Sequence, residues 1–344
     1  MARKPSSPSK KPAPASKKSS SLWTLDAHCD SIILRFADGE PLDLSPVARN
    51  YHVTVPRLIE GRLLGLFAMV GDKNLVPSLR MIDGMHRLCA EQNDRFALCL
   101  TASDVRAAAE SGRVAMVMTI EGQSMFEEHV EQVRNWHRLG VRVYSLTHGE
   151  SIARTPGALQ QSESYFGYIS PADRDKMRRQ HKGLTAFARE SLKEMGRLGI
   201  ACDLAHVNDT VFWETIECAT GPLCFTHGNC YSLCPHSRNL TDQMLTALAR
   251  KGGVIGPCFY GKFIHETDQT LDRYVAHILH ALEIMGPDGV GIGTDYDGVG
   301  EGAVMVIKDP SHMSELWEAL DKRGVKAATL RKIAHDNFLR MLPA

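Results

Sequence analysis

What this sequence lacks narrows its class before any motif is read. No run of eighteen apolar residues occurs, so no membrane-spanning helix is expected. Residues 1–21 contain no acidic side chain and no apolar segment. They are mostly Lys, Pro, Ser and Ala, with six basic residues (Arg3, Lys4, Lys10, Lys11, Lys17, Lys18). Such a leader does not read as a secretory signal; a disordered basic tail and a cytoplasmic location are the expectations. No disulfide framework is visible. The nine cysteines are odd in number, and the Cys230-to-Cys234 spacing lacks the second half of a zinc knuckle, so buried reduced thiols in a reducing compartment are expected. Net charge is also missing, with 40 basic residues against 40 acidic ones. Without the tail, the body is six charges negative, which argues against nucleic acid as a partner.

Beyond the tail, short apolar runs alternate with amphipathic segments. Candidate strands are Leu22–Ala27, Leu63–Val70, Val114–Ile120, Val141–Thr147, Ile200–Ala205, Leu223–Thr226, Gly253–Gly256 and Val290–Thr294. Helical periodicity fills Val130–Leu139, Leu184–Leu198, Val211–Ala219, Met244–Lys251, Leu271–Met285, Ser314–Arg323 and Lys326–Leu342, with Gly140, Gly199 and Gly289 at expected C-caps. Eight strands alternating with helices predict an α/β fold, a (β/α)8 TIM barrel over 22–344. A doubly wound open sheet is disfavoured, because no G-x-G-x-x-G or phosphate-binding loop follows the first strand. Residues 149–182 form a long polar connection, expected as a loop insertion over the barrel mouth.

Six candidate strands run into His28, Glu121, His148, His206, His227 and Asp295. Barrel active sites lie at that end of the strands. His28 and Asp30 alternate along one strand and can reach one metal ion, with Cys29 turned away. Glu121 closes an apolar strand, where an unpaired carboxylate is costly. It either bridges two cations or pairs with an arginine. His206 and His227, on neighbouring strands, suit a second zinc-like ion. Asp295, in Gly291-Ile-Gly-Thr-Asp-Tyr-Asp-Gly298, is placed to carry a proton from water to a leaving amine. Asp297 is expected to cap the turn at Gly298. Two cations about 3.5–4 Å apart would clamp a water, lower its pKa and polarise a carbonyl, which hydrolyses an amide or ester.

In this order, the motifs Asp26-Ala-His-Cys-Asp30, Ile120-Glu-Gly122, Leu146-Thr-His148, Asp203-Leu-Ala-His206, Thr226-His227, Arg238-Asn239 and Gly293-Thr-Asp-Tyr-Asp-Gly298 resemble the membrane (renal) dipeptidase family of zinc peptidases, family M19. The resemblance covers roughly residues 22–342. It implies a metallo-dipeptidase holding two divalent ions, zinc in the family, with manganese or cobalt as substitutes. By resemblance, His28 and Asp30 bind one ion, His206 and His227 the other, and Glu121 bridges. His148 would contact the substrate and its developing oxyanion, and Arg238 would hold the free carboxylate of a dipeptide. The family is often dimeric, so a homodimer belongs to the same expectation. The sequence departs from the family after His148, where Gly149-Glu-Ser-Ile-Ala-Arg-Thr-Pro-Gly157 replaces a short Asn-Asp loop. The animal enzymes' lipid-anchor tail has no counterpart in Met341-Leu-Pro-Ala344. Two alternatives stand beside this reading. One is another binuclear barrel hydrolase, such as an N-acyl amino acid deacylase, lactonase or phosphotriesterase. Those barrels often bridge their metals with a carboxylated lysine, and no candidate strand here ends in Lys. The other is a non-catalytic metal-binding homologue.

Overall fold

The computed structural model describes residues 22–71, 74–148, 167–180 and 182–344. The expected basic tail, and most of the insertion after His148, lie outside them. Eight strands form one parallel sheet: β1 (Thr24–Cys29), β2 (Leu63–Met69), β3 (Phe96–Leu98), β4 (Val114–Ile120), β5 (Val141–Ser145), β6 (Ala201–Asp203), β7 (Leu223–Phe225) and β8 (Val254–Ile255). The order is β1-β2-β4-β5-β6-β7-β8. β3, too short to show a period in the sequence, pairs with the lower half of β4, and β5 pairs with its upper half.

The stave that closes the barrel, beyond these eight strands, is the segment predicted as the last strand. Residues 290–296 make bridges rather than a regular ladder, through Ile255–Val290 on one side and Cys29–Tyr296 on the other. Ala27 N donates to Ile292 O, and Asp295 N donates to His28 O. Glycine explains the irregularity. A Cβ on Gly293 would lie 1.6 Å from Thr226 O, so this stave packs backbone against backbone.

Alternation along the strands sorts the interior. Ala115, Val117, Thr119 and Glu121 share one face of β4. Ala115 and Val117 join Leu25, Val143, Ala201, Cys224 and Val254 in one buried cluster, completed from the C-terminal segment by Phe338. The barrel is therefore filled with apolar side chains below and carries its polar residues above. The ladder from β1 to β2 slips by one residue between Asp26 and Cys29. Such a bulge re-aims a side chain, here just where His28 turns into the mouth.

Helices follow the strands, and several begin on a side-chain cap. The side chains of Thr101, Thr185, Asn208, Thr241 and Thr270 each accept a backbone N–H of the first helical turn. The helix Leu271–Met285 ends at Gly286, not at Gly289 as expected, because Gly286 takes the positive φ of 74°. Within the predicted insertion, Pro171–Gln180 is a helix. No helix among the described residues is long and apolar enough to cross a membrane.

Candidate metal centre

Each strand-end residue singled out in the sequence reaches the same end of the barrel. Glu121 is the hub. Its Oε1 lies 2.9 Å from His206 Nε2, 3.5 Å from His227 Nε2 and 3.5 Å from His28 Nε2. Its Oε2 lies 3.5 Å from His148 Nε2. Asp30 Oδ2 is 3.2 Å from His28 Nε2, and Asp295 Oδ1 is 4.0 Å from the same nitrogen. No arginine pairs with Glu121 among the described residues, so the salt-bridge alternative for this carboxylate finds no partner here.

The backbone is held in uncommon shapes to achieve this. His206, Asp295 and Asp297 adopt φ of 67°, 62° and 65°. The left-handed region costs a non-glycine residue roughly 1 kcal/mol or more, and such strain collects at functional sites. Gly298 then passes close beneath two carboxylates. A Cβ there would stand 2.0 Å from Asp30 Oδ2 and 2.4 Å from Asp295 Oδ1.

Charge and burial set the protonation of the cluster. Burial opposes the charged form of Glu121, yet His148, His28 and His206 outweigh it and hold its carboxyl well below the usual range. Burial drives His206 down to about 3, with Arg238 adding to the effect. Burial, then His28 and Arg238, push His227 well below its ordinary value. Burial would lower His28 too, but Asp30 and Glu121 hold its proton and raise it well above the ordinary value. Burial lifts Asp295 to about 8, His28 opposes it, and the carboxylates of Asp30 and Glu121 reinforce it.

This donor set fits cations. His206 Nε2 and His227 Nε2 face each other at 2.9 Å. Nitrogens of two neutral imidazoles beside a carboxylate oxygen are the ligand chemistry of zinc and its neighbours. The buried His28 Nε2 makes no well-aligned hydrogen bond, although oxygens of Asp30 and Glu121 stand 3.2 and 3.5 Å away. Among the described residues, three groupings offer ligand atoms within 4.8 Å: His28, Asp30 and Asp295; Glu121, His148 and His206; His28, Asp203 and His227. Asp203 is the exception, since both its oxygens are already occupied by two donors each. Cys29 is turned away as expected, its thiol beside Ser31 Oγ at 3.2 Å. Asp297 does something other than cap its turn. It accepts Ser31 Oγ and His52 N at 2.5 and 2.6 Å, and so fixes the loop around His52 to the barrel top.

Arg238 is completely buried beneath the same mouth. Among the described residues its Nε lacks a hydrogen-bond partner, and its Nη2 has only a long contact to His227 O at 3.5 Å. Its guanidinium lies 5.5 Å from the centre of the Phe263 ring. A cavity of about 450 Å³ joins Arg238 to Glu121, His148, His206 and Asp295. Its apolar wall of Ile33, Leu34, Tyr260 and Phe263 carries no signal in the sequence. The helix Ser31–Asp38 buries Ser31, Ile32 and Arg35 and leaves Ile33 and Leu34 for the cavity, an inversion that periodicity alone does not reveal.

Comparison with known proteins identifies the family. The membrane dipeptidase family, peptidase family M19, matches residues 16–344. A protein of Aspergillus terreus named dipeptidase ataJ is 32% identical over 274 residues, which are 77% of this chain and 66% of that protein. A metallopeptidase from Rhodobacter sphaeroides superposes with a TM-score of 0.81 at 22% identity, covering 93% of this chain and 98% of the other. Dipeptidase AC, an M19 metallopeptidase, gives 0.81 at 24% identity, with 93% and 97% covered. The chain belongs to the membrane dipeptidase family, a family of metal-dependent peptidases.

Proposed function

We propose that this chain hydrolyses dipeptides at a centre holding two divalent cations, zinc being the ion its ligands suit best. Arg238 is the observation that carries the reading. A buried guanidinium with unspent donors, in a cavity shared with a histidine and carboxylate cluster, calls for a small anionic substrate. A dipeptide offers one free carboxylate at the distance of one residue from its amide.

In this reading His28 and Asp30 hold one cation, His206 and His227 the other, and Glu121 faces both. When bound, the cations lower the pKa of water and polarise the scissile carbonyl. The chain supplies the rest. Arg238 fixes the substrate carboxylate in its planar fork. His148, at the rim, donates toward the oxygen that gains charge. Asp295 takes the proton that the attacking water loses and passes it to the departing amine; in the metal-free chain burial disfavours its charge. Nearby cations would offset that effect and keep Asp295 a carboxylate able to accept the proton first.

The test is hydrolysis of a panel of L-L and L-D dipeptides before and after chelation. The panel includes L-Ala-D-Ala, whose phosphinate mimic is bound in the Rhodobacter sphaeroides structure. Turnover that disappears with the metal and returns on its addition supports the reading. Turnover that survives thorough removal of metal overturns it. Arg238→Met should raise KM for dipeptides about 10- to 100-fold, as expected for a lost charged hydrogen bond, with little effect on amide-blocked substrates.

A further inference from the structure

Behind His227 lies a hydrogen-bonded relay that runs from Asp203 through Thr226. Asp203, at the end of β6, receives four hydrogen bonds. Its Oδ1 accepts Ala205 N and Thr226 N, each at 2.9 Å. Its Oδ2 accepts Ser145 Oγ at 2.6 Å and Thr226 Oγ1 at 2.8 Å. The same Thr226 Oγ1 lies 2.9 Å from His227 Nδ1. All of these atoms are buried.

A hydroxyl has one hydrogen, and that of Thr226 is directed at Asp203. Toward His227, the oxygen can then only accept. We propose that Asp203 and Thr226 are positioning residues that fix the tautomer of His227. They place its proton on Nδ1 and leave the Nε2 lone pair facing Glu121 and the cations. The inference rests on the binuclear reading above. It also accounts for a carboxylate that lies among potential ligands yet is not one: Asp203 acts on the centre through Thr226, not by coordination. Ser145 adds β5 to the clamp, so three consecutive strand ends are tied at one carboxylate.

A histidine whose second nitrogen loses its partner typically binds metal about 10- to 100-fold more weakly. The decisive variants are therefore Thr226→Val, which keeps the shape and removes the hydroxyl, and Thr226→Ser, which restores it. Zinc affinity is measured on the full chain by competition with a chromophoric chelator, alongside thermal melting. Nitrogen-15 NMR of the histidine rings in the metal-free parent protein reads the tautomer directly. The expected result is an Nδ1-protonated His227 in the parent, with weakening of about 10- to 100-fold at one of two zinc sites in T226V and near-parental affinity in T226S. Parental affinity at both sites in T226V, with any change confined to its melting, overturns the relay. So does an Nε2-protonated His227, or a T226S protein as weak as T226V. A parent protein that binds no zinc overturns the binuclear reading itself. If T226V does not fold, the tautomer of the parent and the affinity of T226S still decide.

Discussion

At Gly298 the missing side chain is a requirement of the site. Asp30 and Asp295 already occupy the space a Cβ would need. Gly298→Ala must push at least one carboxylate aside, and an ångström of displacement at a reacting centre costs on the order of a hundredfold in rate. The expected outcome is a fall in kcat/KM of that order, together with weaker metal binding, while circular dichroism of the fold is retained. Unchanged kinetics would mean that Asp30 and Asp295 do not both act. The strand-end residues were legible as single letters, because a buried His, Asp or Glu in an apolar strand has few explanations. The second tier was not. Nothing in Thr226 as a letter says that its one hydrogen goes to Asp203, and Asp297 beside Gly298 suggests a turn cap because its partners at Ser31 and His52 are distant in sequence.

At the scale of elements, the closing stave is the weak point of the barrel, since it is joined by isolated bridges where its neighbours form ladders. Gly293 approaches Thr226 O so closely that any side chain must part the stave from β7. Overpacking of this kind typically costs about 1–3 kcal/mol. Gly293→Ala is therefore expected to lower Tm by several degrees, measured by calorimetry. A variant as stable as the parent would place the closure elsewhere. Seven strands were readable from apolar runs of two or more residues bounded by turn signals. Two things were hidden: β3, with only three residues, and the bridge-like pairing of 290–296, which glycines permit and no local period encodes. Helices such as Leu75–Glu91 and Ala102–Glu110 also went unread between strands whose order was clear.

The whole molecule carries a pH dependence that is separate from the metal centre. His277, in the helix Leu271–Met285, accepts Cys230 N on Nδ1 and contacts Ile264 O through Nε2 at 2.9 Å. Burial lowers it to about 4 from an ordinary 6.5. The unfolded chain therefore takes up this proton first. The stabilisation is complete above pH 6.5 and is lost as pH falls through the window down to about 4. The slope is about 1.4 kcal/mol per pH unit for each such histidine. Burial also brings His335, stacked on Trp23 at a centroid distance of 4.1 Å, to about 4, so the two act together. Urea unfolding between pH 7 and pH 4 should show this loss, and His277→Gln should remove one proton from the slope. An unaltered slope would contradict the assignment.

The barrel, its filled floor and its polar mouth together present one arrangement, a carboxylate hub with histidines on either side and a buried arginine within the same cavity. The most direct test of that account is a titration of the metal-free protein with zinc, following dipeptide hydrolysis against equivalents bound. The account predicts activity that rises to a break at two equivalents per chain. Full activity at zero equivalents, or a plateau at one, would contradict it.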